Sequence, residues 1–336
     1  MPEIIEVTSA GDPAFEAFYT VPDRVYPDDP AWAPDSEENT DWALAESTSG
    51  RLPMRAFVAV LDDVPVARAA AFTPAGEVGW VGLFECIAGH EVVGRQVLDA
   101  CESFLSEKGY STVQAPRSDP LTSGLQISGF DLPQTLFTTH HPAHYLDVFS
   151  SAGYRISARM VAPIMTRDRA PEFTFELSNV VIRPAELERL DQELASFHQL
   201  QGAVFSGRPG YVSRDSADTL RLVERLLPYL DEELIIVAES DGEVVGSLIC
   251  LPDGWQSPDR NQIDRARILS IGVLPGWERR GVGMAMGSSL MTALLRKGYQ
   301  SVEGVWVLEH NEAPQELAQH FGAKPGRRFA LLEKQI

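Results

Sequence analysis

Apolar residues along this chain fall into two patterns, short runs and longer stripes spaced by three and four. Runs at 4–7, 57–60, 66–72, 80–84 and 111–115 predict strands, and the stripe over 92–107 predicts a helix that ends at Lys108-Gly109. The runs 57–60 and 66–72 flank Asp62-Asp63-Val64-Pro65, a hairpin with an imperfect turn. An amphipathic piece lies near 15–19, and the Pro-, Asp- and Trp-rich remainder of 1–50 reads as loop. The order then recurs: strand 180–183, helices 187–200 and 220–227, and a hairpin of 234–238 and 244–250 around Asp241-Gly242. An apolar run at 268–273 leads to a helix over 282–297, a strand at 302–308, a short helix at 314–320 and a closing strand at 328–332. The fold class is therefore α/β.

The recurrence is visible in the residues themselves. Lys108-Gly-Tyr-Ser-Thr-Val113 and Lys297-Gly-Tyr-Gln-Ser-Val302 match at an offset of 189, which points to two copies of one fold. The expected division is a first domain over 1–165, a polar, Pro-containing linker over 166–178, and a second domain over 179–336. The first copy carries an insertion rich in Ser, Gly and Pro at 117–140, read as a cap or a docking segment on the second copy.

A chain of 336 residues with 44% hydrophobic and 23% charged side chains has material for two globular cores. Its net charge of −20 argues against nucleic acid and anionic membranes as partners and tolerates a cationic substrate such as an amine. Cys86, Cys101 and Cys250 lie in apolar runs without metal-ligand spacing, which suits buried thiols in a reducing compartment. No charged start followed by an apolar run opens the chain and no stretch approaches 18 apolar residues, so the expected location is the cytoplasm. His140, His141 and His144 form the one histidine cluster, but Pro142 interrupts it and no Cys completes a zinc set, so no metal is expected.

The candidate chemistry gathers after the run 268–273. A Pro275-Gly276 turn carries Arg279 and Arg280 and reaches Gly281-Val282-Gly283 at the start of the helix. Strand, glycine turn and helix start make an anion site, because the first helical N–H groups have no partner within the helix. A P-loop would need Gly-Lys-Ser/Thr there, and Met284-Ala285 stand instead. A dinucleotide turn fits Gly281, Gly283 and Gly287, but such glycines open a long alternating unit and only 53 residues remain here.

The segment Glu278-Arg-Arg-Gly-Val-Gly283 resembles the [Gln/Arg]-x-x-Gly-x-[Gly/Ala] signature of the GNAT superfamily of acyl-CoA N-acyltransferases, departing from it at Glu278. The resemblance spans the second half and implies two tandem GNAT-like domains, each a mixed, mostly antiparallel sheet flanked by helices. It implies an N-acetyltransferase that moves an acetyl or other acyl group from acetyl-CoA, held as co-substrate, to a primary amine by direct attack. Arg279, Arg280, Gly281, Val282, Gly283 and Met284 would hold the phosphates, and the backbone of Ile271, Gly272 and Val273 the acyl carbonyl and pantetheine arm. Asn311 would touch that arm, and Glu309 is the candidate proton acceptor or a solvated loop carboxylate. The family's general-acid tyrosine falls at Ala318, and no tyrosine follows Tyr299, which leaves His320 as a candidate donor. Tyr211 and Tyr229 fall where the family places its substrate loop.

At the turn, the offset sets His90, Glu91, Val92, Val93 and Gly94 opposite Arg279, Arg280, Gly281, Val282 and Gly283, so the first copy has lost the cradle. The alternative is a catalytically impaired CoA-binding sensor or subunit, which the missing tyrosine favours. Either protein would be a monomer or homodimer.

Overall fold

The computed structural model describes residues 1–7, 13–34, 40, 41, 43, 44, 47, 53–117, 124–171, 175–206 and 216–336. In chain order the first elements are β1 (Glu3–Val7), α1 (Pro13–Val25), β2 (Met54–Leu61), β3 (Val64–Phe72), β4 (Val78–Cys86) and α2 (Glu91–Glu107). β5 (Thr112–Arg117), β6 (Leu125–Ser128), α3 (Tyr145–Ser151) and β7 (Arg155–Thr166) follow. Next come β8 (Val181–Pro184), α4 (Leu190–Phe205), α5 (Ser216–Leu226), β9 (Ile235–Ser240), β10 (Glu243–Pro252) and β11 (Arg265–Val273). The last are α6 (Val282–Lys297), β12 (Ser301–Glu303), β13 (Val307–Leu308), α7 (Glu312–His320) and β14 (Lys324–Gln335).

Two compact units result, Met1–Arg159 with Arg327–Ile336, and Met160–Gly326. These bounds differ from the expected 1–165 and 179–336. The units divide not at the expected linker but within β7, whose residues Met160 to Thr166 form a strand of the second unit, paired to β12. The predicted closing strand also belongs elsewhere, since Leu332↔Ala115 and Glu333↔Gln114 place β14 beside β5 in the first unit.

The first unit's sheet runs β1-β2-β3-β4-β5-β14, with the start of β7 alongside β14 and β6 paired to β14. β1 with β2, β2 with β3, β3 with β4, and β14 with both β5 and β6 are antiparallel, whereas β4 with β5 is parallel. α2 lays Val93, Val97, Leu98, Cys101 and Leu105 on one face, against Ala59, Ala67, Ala69 and Ala71. Alanines along β3 let that helix approach closely. The alternate positions of β3 face α1, where the Arg68 guanidinium lies 4.8 Å from the Phe18 ring. α1 contains the amphipathic piece at 15–19, extends past it to Val25 into what reads as loop in the sequence, and buries Phe18 and Val21.

The second unit's sheet runs β8-β9-β10-β11-β12 and ends on β7, with β13 also paired to β7. Asp241-Gly242 forms the tight turn read from the sequence, both residues at positive φ. α6 covers one face: a Cβ on Gly246 would meet Val282 and Met286. α4 covers the other, where a Cβ on Gly272 would meet Leu200, Val204 and Phe205. The expected strand 302–308 is two pieces, β12 on β11 and β13 on β7, and this break shapes the site.

Candidate functional site

β11 and α6 build the candidate site between them. α6 is pinned by Val282, Ala285, Met286, Leu290 and Leu294, all buried in the second unit's core. Its far end is closed by Gly298 in the left-handed conformation, with Arg296 and Lys297 in the last turn and Lys297 paired to Asp231 at 2.8 Å. At the near end Gly281 is the N-cap at φ 87°, and no side chain caps the first turn. The N–H groups of Val282, Gly283 and Met284 therefore leave the helix without an intrahelical acceptor, at its positive pole. Arg279 and Arg280 are exposed beside this end, and the Arg280 guanidinium lies 5.3 Å from the Trp277 ring, which steadies it. Such an end accepts an anion with several oxygens, as a diphosphate has.

The two glycines are there for different reasons. Gly281 is required by its positive φ and by the Phe175 ring, which would lie 2.8 Å from a Cβ. Gly283 is helical, and a Cβ there would meet only the tip of Leu317 at 3.3 Å. Part of what reads as room for a ligand is thus room for the protein's own side chains.

β11 supplies an open strand edge. It pairs with β10 from Ala266 to Val273, but with β12 only at Arg265↔Ser301, Ala266↔Val302 and Arg267↔Glu303. A bulge between Ile249 and Cys250 of β10 skips Leu269 on β11 and turns the strand locally. Ile271, Gly272 and Val273 thus lie past the point where the neighbour has left, next to the turn that holds Arg279 to Met284. Free main-chain donors on such an edge can bind an amide-bearing arm or an oxyanion.

Asn311 is the N-cap of α7, with no hydrogen bond from its own side chain into the first turn. Glu309 is half-buried in the turn after β13. His320 is at the other end of α7, roughly 13 Å along the axis from Asn311 at 1.5 Å per residue, exposed and within 3.0 Å of the Glu316 carbonyl. The structure does not bring it beside the turn residues. Ala318 is half-buried on α7. Tyr299 follows the far end of α6, its hydroxyl pushed up to about 12 by burial, then by Asp231. Tyr211 lies outside the described residues, and the Tyr229 ring packs where a Cβ on Gly254 would be, 2.1 Å away. Among the described residues no group of three His, Cys, Asp or Glu could hold a metal.

The matching place in the first unit is filled by the chain itself. Glu91 puts its carboxylate 2.9 Å from the Gly89 N–H at the start of α2, and that hydrogen bond keeps its pKa low. Past Gly82↔Arg117 the edge of β4 is free of β5, and there the Tyr145 hydroxyl accepts from the Cys86 N–H at 2.7 Å. Tyr145 also donates to Glu85 at 2.7 Å, and His144 Nε2 lies 3.1 Å from the Cys86 carbonyl. The three histidines have separate partners: His140 meets Asp29 at 2.8 Å, and His141 Nδ1 accepts from the Gln126 N–H at 3.2 Å. Burial lowers the pKa of His141 to about 3, so it is neutral.

Several residues of the second site went unread in the sequence. Arg267 and Glu303 are buried where β11 and β12 part, and Gln201 donates to Ser270 at 2.8 Å from α4. A signal existed for Glu303, a charge inside the strand run 302–308, a position seldom occupied without a structural reason; Arg267 stands just before the run 268–273 among other charges and gave none.

Compared with known proteins, residues 199–323 match the model of the Acetyltransferase (GNAT) family. A bacterial ceramide synthase of Caulobacter vibrioides (strain NA1000 / CB15N) is 25% identical, over 95% of this chain and 94% of that one. The crystal structure of a GCN5-related N-acetyltransferase from Sphaerobacter thermophilus superposes with a TM-score of 0.64 at 18% identity, covering 99% of this chain and 95% of that one. A tandem GNAT protein from the clavulanic acid biosynthesis pathway gives 0.67 at 12% identity, covering 100% and 98%. The chain shares the fold of two-unit GNAT proteins, and its residues 199–323 are similar to the Acetyltransferase (GNAT) family.

Proposed function

We propose that this protein is a GNAT acyltransferase that moves an acyl group, most simply acetyl, from acyl-CoA to a primary amine, with the reaction confined to its second unit. One observation carries the reading: an uncapped helix end flanked by Arg279 and Arg280 lies next to a strand edge from which the neighbouring strand has departed. The diphosphate of coenzyme A fits the N–H groups from Gly281 to Met284, and the edge from Ile271 to Val273 fits the pantetheine amides and the thioester carbonyl. An amine nitrogen attacks that carbonyl as the carbon–sulfur bond breaks and the electron pair leaves on sulfur. Main-chain donors stabilise the oxyanion formed on the way. Glu309, directly or through water, takes the ammonium proton. Asn311 touches the pantetheine arm, His320 is left with no part, and the thiolate is protonated from water. The protein works in the cytoplasm as a monomer or homodimer, without metal or nucleic acid.

The ceramide synthase among its relatives suggests that an amine on a lipid belongs in the first panel of acceptors, beside small amines, a peptide N-terminus and lysine. The test is titration calorimetry with coenzyme A, followed by thiol release from acetyl-CoA and longer acyl-CoA over that panel. Binding with turnover supports the transferase. Binding with no thiol release on any acceptor leaves the sensor, which Ala318 at the tyrosine position favours. Absence of heat at millimolar coenzyme A overturns both readings.

A further inference from the structure

Two adjacent strands that begin to pair normally continue, because each further residue offers a main-chain hydrogen bond. β11 and β12 stop pairing at Arg267↔Glu303, whereas β7, paired to β12 on its other side, goes on to pair with β13. The carbonyls set loose by that departure are bonded by side chains. Arg267, 2% exposed, donates through Nη1 to the Gly304 carbonyl and lies 3.5 Å from that of Glu303. Gly304 is drawn the other way, its N–H donating to Pro163 at 2.7 Å, with Pro163 Cγ 2.6 Å from where a Cβ would stand. Farther on, Gln315 Nε2 lies 3.3 Å from the Leu308 carbonyl, 2.9 Å from that of Glu309 and 3.2 Å from that of Asn311. Only a donor can sit among three carbonyls, so this network fixes which way the amide points.

We propose that Arg267 and Gln315 hold the cleft beside β11 open and thereby act as positioning residues for the acyl-CoA arm, an inference that rests on the acyl-CoA reading above. Arg267 bonds the Gly304 carbonyl and Gln315 that of Glu309, which would otherwise seek donors on the edge of β11, while the Leu308 carbonyl already accepts from the Asn311 N–H and that of Asn311 opens the ladder of α7. The edge from Ile271 to Val273 is left for the ligand. Gln315 has a second effect, because it sets the turn that presents Glu309 and Asn311. Without the donors those carbonyls are left unsatisfied or turn toward β11, and either outcome narrows the place where the pantetheine lies.

The test uses the full chain and the pairs Gln315→Met with Gln315→Lys, and Arg267→Met with Arg267→Lys. Met keeps length and removes the donor; Lys restores donors, three protons facing three carbonyls at 315. Calorimetry with coenzyme A, KM for acetyl-CoA and for the amine, and the melting temperature are measured for each. Gln315→Met should bind coenzyme A at least about tenfold more weakly and raise KM for acetyl-CoA but not for the amine, while Gln315→Lys stays within about threefold of the parent. A merely structural role would lower the melting temperature of both and leave affinity alone, which overturns the proposal. So would equal loss of affinity in Met and Lys variants. Should Arg267→Met fail to fold, the half-buried Gln315 pair decides alone. A parent chain that itself binds no coenzyme A overturns the functional reading and this inference together, whereas a binding parent with an equally binding Gln315→Met overturns only this one.

Discussion

Gly281 and Gly283 look alike in the sequence and differ in the fold. At Gly281 a side chain would have to enter the left-handed region and overlap the Phe175 ring, whereas Gly283 is helical with only a flexible leucine tip nearby. Gly281→Ala should therefore destabilise the second unit by about 1–3 kcal/mol and weaken coenzyme A binding, as read by urea unfolding and calorimetry. Gly283→Ala should leave stability within about 0.5 kcal/mol, so any loss of affinity there reports on the ligand. The positive φ at Gly281 is legible in the sequence, because glycine before a helix stripe announces it. Phe175 is not, because nothing local ties residue 175 to residue 281.

His141 carries a pH prediction at the same scale. Its pKa falls to about 3 in the folded chain by burial, and an unfolded histidine has 6.5, so between those values the unfolded state holds more protons. Stability should be full above about pH 6.5 and fall as pH drops toward 3. From pH 7 to pH 5 this residue accounts for a loss of up to about 2 kcal/mol. Chemical unfolding of the parent and of His141→Gln at both pH values checks it: the variant should lose less on acidification, and parallel losses would refute the assignment.

At the level of elements, one strand–turn–helix occurs twice with opposite outcomes. α6 begins uncapped beside two arginines, while α2 begins with the Glu91 carboxylate on the Gly89 N–H. The strand edge before α6 stands open, and the edge before α2 is closed by Tyr145 from α3. Loss of the cradle in the first copy was readable from His90 and Glu91 standing opposite Arg279 and Arg280. The plug was not, since α3 spans seven residues, too few for a helical stripe to declare itself. Tyr145→Phe removes the acceptor of the Cys86 N–H and a donor to Glu85, and should cost the first unit about 1–3 kcal/mol. Coenzyme A affinity should not move; a change there would mean that the plug influences the other site.

On the scale of the molecule, chain order and unit membership part company. Arg327–Ile336 complete the first unit, with Phe329, Ala330, Leu331 and Leu332 all buried, and the second unit begins at Met160 within β7. A chain ending at Gly326 should lose the first unit's cooperative transition in calorimetry and keep the second's. A fragment of 160–326 should fold where one of 166–336, lacking most of β7, does not. Equal behaviour of the two fragments would contradict this division.

Periodicity, turn residues and the 189-residue recurrence were enough to determine an α/β chain of two related copies, the hairpins and the glycine turn before α6, because each depends on neighbours a few residues away. Strand 155–166 was missed, since Pro163 breaks the pattern and its partners lie more than a hundred residues off. Only tertiary structure decided that the last strand serves the first unit, that Phe175 stands over Gly281, and that Arg267 and Gln315 hold the carbonyls beside the open edge. Those are contacts between distant segments, and their hydrogen-bond and packing partners are chosen by the folded geometry.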